Sequence, residues 1–481
     1  MNYKMIGRVL GQLLTIEALF LAVPLAICLA AADAGGALAF ALTLVLCAGL
    51  GIGLWCVCNR AGKLFGPREG MVCVSLGWIL MSALGCLPFV ISGQIPRYID
   101  AFFEVVSGFT TTGASVLSAP EKLTAGMLYW RSFTHWVGGM GVLVFLLAIA
   151  PGQGGFTMHL LRAESPGPDV GKLVPRMKKT AGILYIIYIV MTVLDVIFLL
   201  LDGSLSFLQA LCTAFGTAGT GGLGVFGDSM MSCTPWVQGV TTVFMFLFGV
   251  NFSCYYLLIL GSWKSVLKDE ELRAYVGIAL AAVVVLVLNI RQLYGSLAQT
   301  LHHAAFQVSS IMTTTGYTTA DFDRWPLLSK GILVFLMLMG ACAGSTGGGF
   351  KVGRALLVMK SLRRNVRKVA NPKRVDVVRL SGRPVSETVV DNANAFLGAY
   401  VVISVVSFGL LCLDVPDAVT GLSAVIACFN NIGPGMGLVG PVCNYAHLSD
   451  LSKVVLSLDM LAGRLEIFPM LMLLSRGAWR K

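Results

Sequence analysis

The sequence predicts an all-α polytopic membrane protein: four tandem helix–loop–helix repeats around a pseudo-four-fold axis, plus two extra N-terminal transmembrane helices. Composition is the first reason. The 481 residues are 56% hydrophobic and 12% charged, against about 25% charged in an ordinary soluble domain, and many apolar runs reach the roughly 20 residues that cross a bilayer. Internal repetition is the second. Setting 101–113 against 304–316 pairs Ala101 with Ala304, Phe103 with Phe306, Val105 with Val308 and Ser107 with Ser310. It also pairs Thr110, Thr111, Thr112 and Gly113 with Thr313, Thr314, Thr315 and Gly316, giving eight identities in thirteen positions. Two weaker copies are Phe215-Gly-Thr-Ala-Gly-Thr220-Gly221-Gly222 and Phe429-Asn-Asn-Ile-Gly433-Pro434-Gly435. The third reason is position. Each copy lies between two long apolar runs, where a re-entrant loop belongs.

Taken in order, the apolar runs lie near 10–31, 36–58, 71–93, 127–150, 181–201, 234–262, 275–290, 327–358, 388–413 and 451–475. The first is too long and continuous for a cleaved signal peptide. Residues 1–69 are assigned to the two extra helices. The repeats follow as 70–180, 181–273, 274–386 (with a glycine-rich stretch at 340–350) and 387–481. Lys and Arg fall mainly in alternate gaps. With both termini cytoplasmic, 27 of the 35 Lys and Arg lie inside, eleven of them between Lys351 and Arg383. That bias sets the orientation and puts all four repeated loops on the outer side.

The net charge of +11 therefore reflects membrane topology and not nucleic-acid binding. The richest cluster (Arg363, Arg364, Arg367, Lys368, Lys373 and Arg374) exceeds what orientation needs, and is assigned to a soluble partner or acidic membrane lipids. Thirteen cysteines are scattered and lack metal or redox spacing. They read as small core residues, with Cys233 and Cys443 facing outward. Five histidines without ligand spacing, and no clustered intramembrane acids, argue against an enzyme. Gly222-Leu-Gly-Val-Phe-Gly227 matches G-x-G-x-x-G, but follows no strand and opens no helix, so nucleotide binding there is set aside.

The segments before the loops (Tyr98 to Phe109, Leu205 to Phe215, Leu297 to Met312, Ala418 to Phe429) have the length of half-helices dipping inward. Each would point the negative end of its dipole at mid-membrane. Irregular backbone at that depth is tolerated only against protein or a water-filled cavity, so four such loops around one axis make a pore. Rings of backbone carbonyls replace the hydration shell of K⁺. The necessary backbone angles suit glycine, and Gly113, Gly222, Gly316 and Gly433 match one another in this role. In the second loop either Gly219 or Gly222 fits on sequence alone.

Thr110-Thr-Thr-Gly-Ala114, Thr313-Thr-Thr-Gly-Tyr317, Asn430-Asn-Ile-Gly-Pro-Gly435 and Gly340-Ala-Cys-Ala-Gly-Ser-Thr-Gly-Gly-Gly-Phe-Lys-Val-Gly-Arg354 resemble the Trk/Ktr/HKT potassium transporter superfamily. The two extra helices and the fourth loop resemble the bacterial Trk-type membrane subunit most closely. The resemblance spans almost the whole chain. It implies K⁺ as the transported ion, a homodimer in the bacterial cytoplasmic membrane, and a separate cytoplasmic ring of nucleotide-binding regulatory subunits. It favours Gly222 in the second loop. The implied K⁺ filter is Thr111, Thr112 and Gly113; Thr220, Gly221 and Gly222; Thr314, Thr315 and Gly316; Asn431, Ile432 and Gly433. In the fourth loop Asn431 and Ile432 stand where threonines would, so the filter departs from four-fold symmetry.

The run Gly344-Ser345-Thr346-Gly347-Gly348-Gly349 interrupts 327–358 halfway. Glycine costs about 1 kcal/mol against Ala in a helix interior, so three in a row should unwind the helix into a gating loop, with Lys351 just beyond. Arg464 lies in the last apolar run, about 2.5–3.5 kcal/mol uphill on insertion scales. Glu466, two residues on, would not share its helix face, so carbonyls of the 344–349 loop are its expected partners. The rival reading is a sodium-coupled solute symporter with unwound helices. That class shows two inverted repeats, whereas the four repeats here run in the same direction.

Overall fold

The computed structural model describes residues 1–58, 66–141, 177–373 and 376–479. Residues 142–150 of the run expected at 127–150, and Arg60, Lys63, Arg162, Lys172, Arg176, Arg374, Arg480 and Lys481, lie outside them. The chain opens with a hairpin of two long helices, Tyr3–Ala30 and Ala34–Val57. Small residues let them approach closely: a Cβ on Gly11 would lie 2.7 Å from the Gly51 carbonyl oxygen.

Four repeats follow, each a long helix, a short helix, a loop and a second helix. The long helices are Pro67–Gly85 (continued by Leu87–Ile91), Met177–Leu200, Glu270–Ile290 and Glu387–Leu411. They bury little. In the third, Leu280, Val284 and Leu288 are 62%, 57% and 64% exposed, an apolar surface that is unfavourable in water and suits a membrane-spanning helix. The short helices are Tyr98–Phe109, Phe207–Ala218, Leu297–Met312 and Ala418–Phe429. The second starts and ends later than the sequence suggested, because Ser206 and Gln209 form a capping box at its start.

The second helix of each repeat is where sequence and structure differ most. Ala125–Gly139 ends beside the left-handed Gly141. The run 234–262 is not one crossing. It breaks between Pro235–Phe248 and Phe252–Ile259 with an 87° bend, and the Asn251 side chain restarts the helix by accepting from Ser253 N at 2.8 Å. The third is Leu327–Met339, then irregular backbone over 340–351, then Val352–Ala370, which extends well beyond the apolar run. The fourth breaks between Asp450–Arg464 and Phe468–Leu474, with Glu466 and Ile467 both left-handed. Among the described residues, therefore, six helices are long and apolar enough to cross a membrane, or seven with the bent pair counted as one span. Nine cysteines are buried, but Cys56 and Cys412 are exposed along with Cys443, while Cys233 is only half-buried.

Candidate functional site

Each short helix ends in the same turn. Thr112 N, Gly221 N, Thr315 N and Ile432 N donate back five residues to the carbonyls of Ser107, Gly216, Ser310 and Ala427, at 2.8–2.9 Å. The preceding amides of Thr111, Thr220, Thr314 and Asn431 reach back three residues to Gly108, Thr217, Ile311 and Cys428. This pair of bonds is a Schellman cap, whose central residue must be left-handed and is usually Gly. Here it is Thr111, Thr220, Thr314 or Asn431, with φ of 56°, 52°, 62° and 55°. Sequence reasoning assigned the left-handed backbone to the glycines alone and missed these four. Two residues on, Gly113, Gly222, Gly316 and Gly433 are left-handed as well, whereas Gly219 is helical, with φ −71°.

The four turns close on one another. A Cβ on Gly113 would lie 2.1 Å from the Gly221 carbonyl oxygen, one on Gly222 1.9 Å from Thr315 O, and one on Gly316 1.9 Å from Ile432 O. One on Gly433 would lie 2.8 Å from Thr112 O, which completes the circle in chain order. The four glycines also line one open vestibule, together with Arg131 and Tyr445. Behind the ring, Thr110 and Thr112 share a hydroxyl–hydroxyl bond of 2.8 Å, repeated by Thr313 and Thr315. In the fourth loop Asn431 Nδ2 does a related job, donating to Thr112 Oγ1 at 3.0 Å and to Met460 O at 2.9 Å. These side chains brace the loops.

On the side away from the vestibule, the 340–351 segment passes under the helix ends. Gly348 has its Cβ direction 2.6 Å from Asn430 O, so no larger residue fits there, and its amide donates to Thr314 Oγ1 at 2.6 Å. Arg464 donates to Thr346 O at 2.8 Å and to Gly139 O at 2.7 Å, with a further bond to Gly138 O. Lys351 Nζ donates to Gly347 O. Ser345 through Gly348 are buried, whereas Gly344 is exposed. The break in the second repeat is stitched to the same segment: Phe252 N donates to Gly344 O at 3.0 Å and Cys342 N to Gly249 O at 3.1 Å.

A family model described as TrkH, a cation transport protein, matches residues 37–477. The chain belongs to the TrkH family. It is 35% identical over 487 residues to the Trk system potassium uptake protein TrkH of Salmonella typhimurium, covering all of both chains. It is 31% identical to the Trk system potassium uptake protein TrkG of Escherichia coli K12, over 92% of this chain and 91% of that one. The crystal structure of the potassium transporter TrkH from Vibrio parahaemolyticus superposes with a TM-score of 0.89 at 32% identity, covering all of both chains.

Within this TrkH-type framework the structure adds partners that the sequence reading did not supply. Glu271, at the start of the third long helix, accepts from Ala343 N at 2.7 Å and Gly353 N at 2.8 Å, so it holds both ends of the glycine-rich segment. Glu466 is ion-paired with Arg354 at 2.7 Å, and the Arg354 guanidinium lies 3.9 Å from the Phe396 ring centroid. Sequence spacing hid this pair, because Glu466 belongs to the break and not to the helix that carries Arg464.

Proposed function

We propose that this chain is the K⁺-translocating membrane subunit of a Trk-type uptake system and performs no covalent chemistry. The observation that carries this reading is the closed ring, in which each loop's glycine backs onto the next loop's carbonyl. Ring carbonyls held by Schellman caps and hydroxyl braces are pre-organised, and a cation entering them exchanges water for oxygen without waiting for the protein to rearrange. The bonds of Gly348 and Arg464 support a barrier beneath the ring. Arg464 also places a cation beside the path, which opposes K⁺ until the segment moves.

In this reading the vestibule faces outward, and the helix Val352–Ala370 and both termini face the cytoplasm. The chain pairs as a homodimer and is regulated by a nucleotide-binding ring. Arg363, Arg367, Lys368 and Lys373 on that helix and just beyond it are exposed and offer such a partner a basic surface. Four repeats of one direction, closed into a ring, do not fit the inverted pairs of a sodium-coupled symporter. Rb⁺ uptake into liposomes holding the purified protein tests the proposal. Rb⁺ flux that K⁺ suppresses at far lower concentration than Na⁺ does is the expected result; Na⁺-driven solute uptake without Rb⁺ flux would overturn it.

A further inference from the structure

Three of the four filter loops are joined on the vestibule side by one continuous set of hydrogen bonds. Arg131, 3% exposed, pairs through Nε with Glu104 Oε1 at 2.7 Å. Its Nη1 donates to Gly224 O of the second loop at 2.7 Å, and its Nη2 to Ser115 Oγ of the first at 3.1 Å. Glu104 in turn accepts from Ser115 Oγ at 2.9 Å and from Val116 N at 2.9 Å. Tyr445 N donates to Ser115 O at 2.9 Å. The Tyr445 hydroxyl then donates to Gly433 O at 2.7 Å, so the chain of bonds ends on a carbonyl of the ring. Among the described residues, Gly433 is the one ring glycine whose carbonyl accepts a side-chain hydrogen bond. Repetition does not account for the network. The loop alignment puts Gln307 opposite Glu104, and the corresponding residues of the second and fourth loops are Thr213 and Ala424.

We propose that Glu104, Arg131, Ser115 and Tyr445 form a bracket that sets ion preference, with Tyr445 as the positioning residue that controls the Gly433 carbonyl. The inference rests on the carbonyl-ring reading above. Two effects of the phenol have the same sign. It holds the Gly433 oxygen back from closing on an ion smaller than K⁺, and it draws electron density from that oxygen, weakening the field that Na⁺ needs more than K⁺ does. Removing the hydroxyl therefore favours Na⁺. The ring of Tyr445 packs 5.5 Å from that of Phe103, a contact that phenylalanine would keep.

The test is Rb⁺ uptake into proteoliposomes against rising external Na⁺, for Tyr445→Phe, Ser115→Ala and Gly113→Ser, with thermal unfolding of each purified protein. The bracket predicts a Na⁺ inhibition constant about threefold to tenfold lower in Tyr445→Phe, the range of one neutral hydrogen bond. Maximal Rb⁺ uptake without Na⁺ and the unfolding temperature should stay near wild type, which a merely structural role for Tyr445 would not produce. Unchanged Na⁺ inhibition in Tyr445→Phe, with a shift in Gly113→Ser, overturns the bracket and leaves the ring. No shift in either overturns both. Should Tyr445→Phe fail to fold, Ser115→Ala decides by the same readout: a lowered constant supports the bracket and an unchanged one overturns it.

Discussion

Arg464 and Thr346 lie 118 residues apart in sequence and are joined by a 2.8 Å hydrogen bond from guanidinium to main-chain carbonyl. A charged donor bonded to a neutral acceptor is worth about 1.5–3 kcal/mol, enough to hold an irregular segment that has no helix of its own. If that segment is the barrier, Arg464→Ala raises Rb⁺ flux about tenfold to a hundredfold, since each 1.4 kcal/mol off a barrier is roughly tenfold. The Rb⁺/Na⁺ ratio should not change. Liposome uptake without any regulatory partner is the measurement, and equal or lower flux in a folded variant would assign Arg464 a purely structural role.

Gly113→Ser and Gly316→Ser should fold but lose preference for K⁺ over Na⁺. An added Cβ at Gly113 or Gly316 falls about 2 Å from a neighbouring carbonyl oxygen at a φ that L side chains avoid. The displaced oxygen belongs to the ring. Na⁺ competition against Rb⁺ uptake checks it, and wild-type competition in both variants would remove these glycines from the filter.

Gly463→Ala should cost stability more than selectivity. Its Cβ would lie 1.9 Å from Phe429 O, where the last second helix abuts the end of the fourth short helix. Overpacking of this kind costs about 1–3 kcal/mol. Gly239→Ala meets nothing within 4 Å and is the control. Unfolding temperatures in detergent should separate the two, and equal temperatures would mean that the contact relaxes freely.

Replacing Arg363, Arg367, Lys368 and Lys373 with Gln should release a cytoplasmic partner at low and moderate salt. Arg364 is better kept, because it is bonded to Glu387 at 2.6 Å. Pull-down with the regulatory subunit reads this out. Undiminished retention would leave these charges only the task of orienting the chain in the membrane.

Much of the site was legible because repetition is visible in letters. Four loops at matching places gave the ring glycines, and a charged residue deep in an apolar run pointed Arg464 toward the 344–349 carbonyls. The left-handed threonines were hidden, since a Schellman cap normally advertises itself with glycine and Thr111, Thr220 and Thr314 carry no such sign. The helix breaks at 249–251 and 465–467 were hidden too. Hydropathy sums across a bend, so Val250 and Leu465 read as continuous helix, although the 340–351 backbone satisfies the first break and a local cap, Ile467 N to Ala462 O, closes the second. Glu271, Arg354, Glu466 and the Glu104–Arg131 pair were out of reach, because partners more than a hundred residues apart, or on different elements, leave no periodic trace.

The closed ring also has a rotational sense. Gly113 leans on the second loop, Gly222 on the third, Gly316 on the fourth and Gly433 on the first, like stones of an arch that each rest on the next. A bulky residue at one position thus presses on a single neighbour and spares the loop behind it. Because one chain supplies all four stones, each can be altered alone, which four identical subunits would not permit. The room is also uneven: an added Cβ would fall about 2 Å from the next loop's carbonyl oxygen at three positions, and 2.8 Å from it at Gly433. The seam between the end and the beginning of the repeats is therefore where an added side chain would have to displace its neighbour least.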